Sequence, residues 1–247
     1  MTRRTLVALA VVGLLLIGGC QGSGQSVTTE SFPYPDGYDE SGISNTSTAL
    51  RTHATALDGG YRINFTLSQV GSRGAVRTSG YVRANESRKR AIVFVEQTTA
   101  GHTKTFTEFR AGDAVYRQHV SGGSFEYAVR NEAYRAPIYA DRGDFVSMVR
   151  SLELNASEAF AVNGTRYVRY RVENVTADRI QATIANESGT VVIEESGRIR
   201  SMNVTFEQRV TGVERTVSFV YVTTRVNTTV ERPEWVATAK NESKDRT

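Results

Sequence analysis

The sequence predicts an α+β, mostly β domain: a single curled antiparallel sheet, a half-barrel, with one or two helices packed on its concave face. Three observations point there. Apolar and polar residues alternate through many short segments, which are separated by Gly, Asn, Asp and Ser. Only two stretches carry the three-to-four spacing of an amphipathic helix. The hydrophobic content of 39% is spread along the chain rather than gathered into long blocks. Regular up-and-down connections favour one curled sheet, and a two-sheet sandwich is the alternative.

The chain opens with Thr2-Arg3-Arg4, runs through apolar residues from Leu6 to Ile17 and reaches Gly18-Gly19-Cys20. A charged start, an apolar middle and small residues before a cut point make residues 1–19 a signal peptide. Its apolar run is too short for a comfortable membrane span. Thr2-Arg3-Arg4 followed by Leu6-Val7 fits a twin-arginine export signal. Ile17-Gly18-Gly19-Cys20 fits a lipobox, in which the Cys20 thiol is alkylated by a diacylglyceryl-type lipid before cleavage. The expected location is therefore the extracellular face of the cell membrane, held by a two-chain lipid, since one acyl chain holds weakly. Cys20 is the only cysteine, so an intramolecular disulfide is impossible and the domain must rely on packing and sheet hydrogen bonds. Residues 20–35 read as a flexible tether, 36–239 as a single β-rich domain and 240–247 as a disordered tail.

Within the domain, Ser44 to Leu57 reads as a helix: Leu50, Ala54 and Leu57 share a face, and Gly59-Gly60 stops it. Strands follow at Tyr61–Gln69, Ala75–Ala84, Lys89–Gln97, Thr103–Arg110, Ala114–Val120 and Ser124–Arg130, with Gly-rich or Asn/Asp turns between them. A second helix is predicted over Asp144–Leu152, with Asp144 as N-cap and Phe145, Met148, Val149 and Leu152 at helical spacing. Strands resume at Ala159–Val162, Arg166–Glu173, Thr190–Glu194, Ile199–Arg209 and Val213–Val226, and Arg179–Ala185 fits either a helix or a strand. Asn186-Glu187-Ser188-Gly189 reads as a turn.

Asn-x-Ser/Thr occurs at Asn45, Asn64, Asn85, Asn155, Asn163, Asn174, Asn186, Asn203, Asn227 and Asn241, so of eleven Asn only Asn131 falls outside the pattern. Chance would supply roughly two such sites. The excess points to N-glycosylation on an outer surface. Asn64 and Asn203 fall on the polar faces of their strands, and Asn85, Asn163 and Asn186 fall in predicted turns.

The formal charge is +4, and without Arg3 and Arg4 the rest of the chain carries 28 basic against 26 acidic side chains. That balance, with no basic block interleaved with aromatics, excludes nucleic acid as a partner. No nucleophile elbow, phosphate loop, His-Glu-x-x-His or Cys pair is present, and no metal or cofactor is implied. His53 lies on the face of the first helix next to Leu50 and Leu57 and reads as a packed or half-exposed histidine rather than a ligand. His102 and His119 lie on or near neighbouring strands and would need Asp113 or Glu108 close by to hold a metal. Arg198, Arg200, Arg209, Arg215 and Arg225 line the C-terminal strands opposite Glu194, Glu195, Glu207 and Glu214. Cross-strand ion pairs on a solvated face are the simplest reading, and a face for an anionic headgroup is the alternative.

Two strands are apolar on both faces: Ile92, Val93, Phe94, Val95, and Phe219, Val220, Tyr221, Val222. Central strands buried on both sides would explain this, as would an apolar cavity between sheet and helices, lined by Phe65, Phe94, Val95, Phe106, Phe206 and Phe219.

The export signal and lipobox, followed by Tyr34-Pro35-Asp36-Gly37-Tyr38-Asp39-Glu40-Ser41-Gly42-Ile43, a short helix ending Ala56-Leu57-Asp58-Gly59-Gly60-Tyr61 and a run of strands, resemble a halophilic-archaeal surface lipoprotein family of unknown function. The Arg-rich, Lys-poor composition suits such an organism, and the low acid content does not. That family is similar in architecture to the lipoprotein-carrier and glycolipid-carrier half-barrel proteins of bacterial envelopes, in which a curled sheet surrounds an apolar cavity closed by helices. The resemblance carries over no functional residue beyond Cys20. Taken together, these features lead to the expectation of a non-enzymatic, lipid-anchored binding module for an apolar or lipid-like ligand, with a structural or interaction role in the glycosylated surface layer as the alternative.

Overall fold

The structure, a computed structural model, describes residues 27–85, 87–135, 142–176, 182–225 and 229–244. A first helix, α1 (Thr46–Ala56), starts where the Asn45 side chain accepts a hydrogen bond from the Thr48 N–H at 2.9 Å, an ordinary N-cap. Six strands follow: β1 (Gly60–Gly71), β2 (Gly74–Asn85), β3 (Arg90–Thr99), β4 (His102–Ala111), β5 (Ala114–Ser121) and β6 (Ser124–Asn131). Helix α2 (Arg142–Ser151) leads to β7 (Leu152–Val162), β8 (Thr165–Val175), β9 (Ala182–Glu194), β10 (Ile199–Val210) and β11 (Val213–Arg225), and α3 (Trp235–Lys244) closes the chain. Among the described residues no helix is long and apolar enough to cross a membrane.

All eleven strands form one open antiparallel sheet in the order β6-β5-β4-β3-β2-β1-β11-β10-β9-β8-β7. Each half is a meander of hairpins, a local connection the turn residues specify. The two meanders meet only in the middle, where β1 pairs with β11 over eleven residue pairs from Tyr61↔Arg225 to Gly71↔Arg215.

One face holds the main core. Tyr61, Ile63, Phe65 and Leu67 of β1 share it with Phe219 and Tyr221, Met202, Val204 and Phe206, Val191 and Ile193, and Val168 and Tyr170. Ala49 of α1 and Phe145, Met148 and Val149 of α2 pack onto that face. Gly80 of β2 lies opposite Phe65, where a Cβ would sit 2.8 Å from the phenyl ring, so only glycine leaves that ring its place.

Several expectations are corrected by the structure. A third helix exists, and it lies on the opposite face. Val236 and Ala239 of α3, with Val230, bury against Phe109 and Tyr116, Trp235 stacks on Tyr127 at 6.3 Å and Lys240 lies over the Tyr116 ring at 5.4 Å. Residues 240–244 are thus helical rather than a disordered tail, because the i, i+3 apolar pair of α3 gives the segment a surface to bury. The packed domain also starts before residue 36. Phe32 and Tyr38 are buried in the main core, and the Tyr170 hydroxyl donates to the Asp39 carbonyl at 2.8 Å, so aromatic burial overrides the polar composition of that stretch. Strand β7 begins at Leu152, directly after α2, rather than at Ala159. Asn186 sits inside β9: with φ of 55° it forms a bulge where the register jumps between Thr205 and Glu207, not a turn. Ala182–Ala185 belong to β9, and 177–181 lie outside the described residues.

His53 ties α1 to the sheet and is fully buried. Its Nδ1 accepts from the Ile199 N–H at 3.1 Å, so Nε2 carries the proton and donates to the Tyr221 hydroxyl at 3.1 Å. Burial, and then the nearby Arg198 guanidinium, lower its pKa to about 3. The folded value lies below the unfolded one near 6.5, so the stability contributed by neutral His53 is complete above about pH 6.5 and is lost as pH falls toward 3. Denaturant unfolding at about pH 7 and about pH 4 should show wild type losing on the order of 3 kcal/mol more than His53→Gln over that interval. Equal losses in both proteins would mean that His53 does not carry the acid sensitivity.

Candidate functional site

The period of two along a strand places Arg215, Val217 and Phe219 of β11 on the core face, in line. The register sets their neighbours: Leu67 opposite Phe219, Gln69 opposite Val217 and Gly71 opposite Arg215 on β1, with Phe206 opposite Val217 and Gln208 opposite Arg215 on β10. Over these rows α2 stands away from the sheet and leaves a groove of about 720 Å³. Its floor and walls are Leu67, Phe206, Val217, Phe219, Ile184, Val175 and Met148. Its rim is polar: Gln69, Gln208 and Arg215 at the sheet end, and Thr46, Asp144, Ser147, Arg150 and Ser151 at the helix end. The size falls within the roughly 300–1,000 Å³ of small-molecule sites, and the lining joins seven apolar residues to nine polar or charged ones.

Of the predicted cavity residues, Phe206 and Phe219 line this groove. Phe65, Val95 and Phe106 lie on the same face but one step aside, in a row that runs Phe106–Val95–Gly80–Phe65–Tyr221 across β4, β3, β2, β1 and β11. Phe94 does not belong to the cavity: it points to the opposite face and stacks on Tyr81 at 5.5 Å. The alternation along β3 requires this, since Val93 and Val95 take the core face. Sequence reasoning named Met148 only as an apolar position of the second helix and left Leu67, Val217 and Ile184 out of the cavity; Leu67 and Val217 were signalled by their spacing of two from Phe65 and Phe219.

The arginines divide in the same way. Arg209 pairs with Glu214 across β10 and β11 on an exposed face, as expected, whereas Arg198 pairs with Glu194 at the β9–β10 turn and the pair is buried rather than solvated. Glu195 takes Arg166 at 2.6 Å, and Glu207 accepts from the Asn186 amide at 2.7 Å. Arg200 donates to the Thr223 carbonyl and to Thr224. Arg215 alone among these lines the groove, and the Arg225 side chain lies outside the described residues. His102 is exposed near the start of β4, His119 faces Phe106 from β5, and Glu108 is held by Arg110 and Arg117 at 2.7 Å each. Among the described residues no group of three His, Cys, Asp or Glu is placed to hold a metal.

The lipid-anchor candidate Cys20 and the sequon Asn227 lie outside the described residues. Asn45, Asn155, Asn163, Asn186, Asn203 and Asn241 are exposed, and Asn64 and Asn174 are half-buried. Asn85 is the exception. It is buried, and its carboxamide oxygen accepts from the Arg88 N–H at 3.1 Å and the Ser87 hydroxyl at 2.9 Å.

A family model described as "Family of unknown function (DUF7537)" matches residues 5–239. No curated protein matches the chain. Among solved structures, the chain is similar to a LolA-superfamily protein of Nitrosomonas europaea at 8% identity and a TM-score of 0.27, covering 77% of this chain and 96% of that one. It is also similar to a putative outer membrane lipoprotein-sorting protein domain of Vibrio parahaemolyticus at 10% identity and a TM-score of 0.20, over 76% and 96% of the two chains. A DUF1329-family protein of Desulfovibrio piger gives 10% identity and a TM-score of 0.24 over 75% and 93%.

Glycopeptide mass spectrometry of the natively produced protein should find Asn85 less occupied than Asn155 and Asn203, because a glycan there requires the residue to leave its turn. Full occupancy at Asn85 would show that modification precedes this packing.

Proposed function

The chain belongs to the family of unknown function DUF7537, and we propose that it is a non-enzymatic, lipid-anchored cell-surface protein whose groove takes an apolar, lipid-like ligand. The observation that carries the reading is the groove itself. Its floor is built from side chains of β1, β9, β10 and β11, while α2 forms a wall with Met148 and presents exposed Ser147 to the opening. A floor of Leu, Val, Ile and Phe favours an apolar occupant through the area removed from water, about 25 cal/mol per Å². The eleven-stranded sheet is read as a half-barrel with α1 and α2 on its concave side, a reading supported by the general tendency of neighbouring strands to turn roughly 20–25° from one to the next.

The anchor is the diacylglyceryl-type lipid on Cys20. Val27 packs against the main core, so the stretch from Cys20 to Val27 reaches at most about 25 Å and keeps the domain close to the outer leaflet. The second reading is an interaction role in the glycosylated surface layer. What favours it is the far face of the central strands, where Asn203 lies opposite Val220 and Asn64 opposite Val222, beside rows of Thr and Ser.

Native mass spectrometry of the full-length protein from its own membrane, followed by organic extraction, should show an apolar molecule at near-stoichiometric amount. Ser147→Trp, which fills the groove from an exposed position, should lose it without loss of thermal stability. A clean protein mass in both would move the weight to the surface-layer role. Cys20→Ser should release the protein from the membrane fraction; unchanged membrane association would refute the anchor.

A further inference from the structure

Resting on the reading of the groove as a ligand site, we propose that its ligand is a single-chain amphiphile with an oxyanion head, carboxylate or phosphate, received by Arg215. The groove is graded along its length. At one end Leu67 and Phe219 make an apolar floor that continues through Phe206 and Val217, and four residues from Phe219 along β11, about 13 Å at strand rise, stands Arg215. A tail and a head at that separation are what a simple amphiphile presents.

Arg215 is held in a way that leaves its charge available. Its Nε and Nη2 donate to the Gln208 side-chain oxygen at 2.9 and 2.7 Å, and its Nη1 donates to the Gln69 side-chain oxygen at 2.7 Å. These neutral acceptors come from two different strands and fix the plane of the guanidinium without cancelling its charge. Among the described residues no carboxylate pairs with it, whereas Arg166, Arg169, Arg198 and Arg209 each have one. Of its five N–H groups, these bonds occupy three, and one on each terminal nitrogen is left for the paired oxygens of a carboxylate or phosphate. Gln208 is itself buried, so the amide that orients the guanidinium is rigidly placed. Gly71 stands directly opposite Arg215 on β1, where a Cβ would come within 3.1 Å of the arginine Cβ, so the missing side chain is what gives the arginine its space. The other charges on the groove lining are Asp144 and Arg150, both on α2, which offset each other and leave the sheet end positive.

The test is a binding series with the purified full-length protein at neutral pH, using hexadecanoate, hexadecyl phosphate and hexadecanol as displacers of a fluorescent apolar probe. Both anions should bind at least roughly tenfold more tightly than the alcohol, the scale of a charge-assisted hydrogen-bond pair. Arg215→Gln should abolish that preference by weakening both anions far more than hexadecanol, with a far-UV circular dichroism spectrum and Tm like wild type reporting that the variant is folded, and Arg215→Lys should retain part of it. A preference for only one anion would tell carboxylate from phosphate as the head recognised. Equal binding of all three probes to wild type would overturn the inference and leave the apolar groove standing. Binding of none of them would overturn both.

Discussion

Strand β1 pairs with β11 across more than half the length of the chain, and the main core face and the groove depend on that pairing. Each meander is local and could form from its own turns, but neither half alone has the floor of a groove. Pairing sets Leu67 beside Phe219, Gln69 beside Val217 and Gly71 beside Arg215. A slip by one residue would send Phe219 and Tyr221 to solvent and bring Val220 and Val222 inside, so the buried face fixes the register as strongly as the hydrogen bonds do. Because the pairing is non-local, it must pay its loop-closure entropy before the core rewards it.

The sheet is buried unevenly on its two sides. Its core face is covered by the segment from Phe32 to Tyr38, by α1 and by α2, and His53 fastens α1 through bonds to Tyr221 and Ile199. Among the described residues the far face is covered at one end, where α3 lies on Phe109 and Tyr116. That division explains why Ile92, Val93, Phe94 and Val95 are all apolar: the odd positions face the main core, Ile92 meets the α3 cluster and Phe94 stacks on Tyr81. The same alternation on β11 leaves Val220 and Val222 on the far face, beside Asn203 and Asn64.

The groove is where this arrangement stops short of a closed core. Helix α2 buries Phe145 and Val149 against the sheet but meets the rows of Val217 and Arg215 only with Met148, short polar residues and Arg150. The result is an apolar floor with a polar rim, graded along the strand axis, rather than either a filled interior or open water. Gln69, Gln208 and Arg215 come from three strands, and their meeting at one end of the floor gives the site a direction.

Local chemistry was legible from the residues. Asn45 announces the start of α1, Gly-rich turns mark the hairpins, and alternation assigns Phe206 and Phe219 to the inner face. Most misreadings of the fold come from packing by residues distant in sequence, whereas Phe94 was put in the cavity against the alternation of its own strand. Phe32 is buried because the sheet offers it a surface, α3 forms because Phe109 and Tyr116 wait for it, and Asn186 bulges because β10 runs straight past it. The sequence by itself determined a mostly β chain, its hairpins, its sequons and the candidate anchor at Cys20, since each is written in neighbouring residues. Only the tertiary structure decided that Arg215 stands over two glutamine amides at the end of an apolar floor. That meeting depends on which strand lies beside which, and no local pattern carries the β1–β11 register.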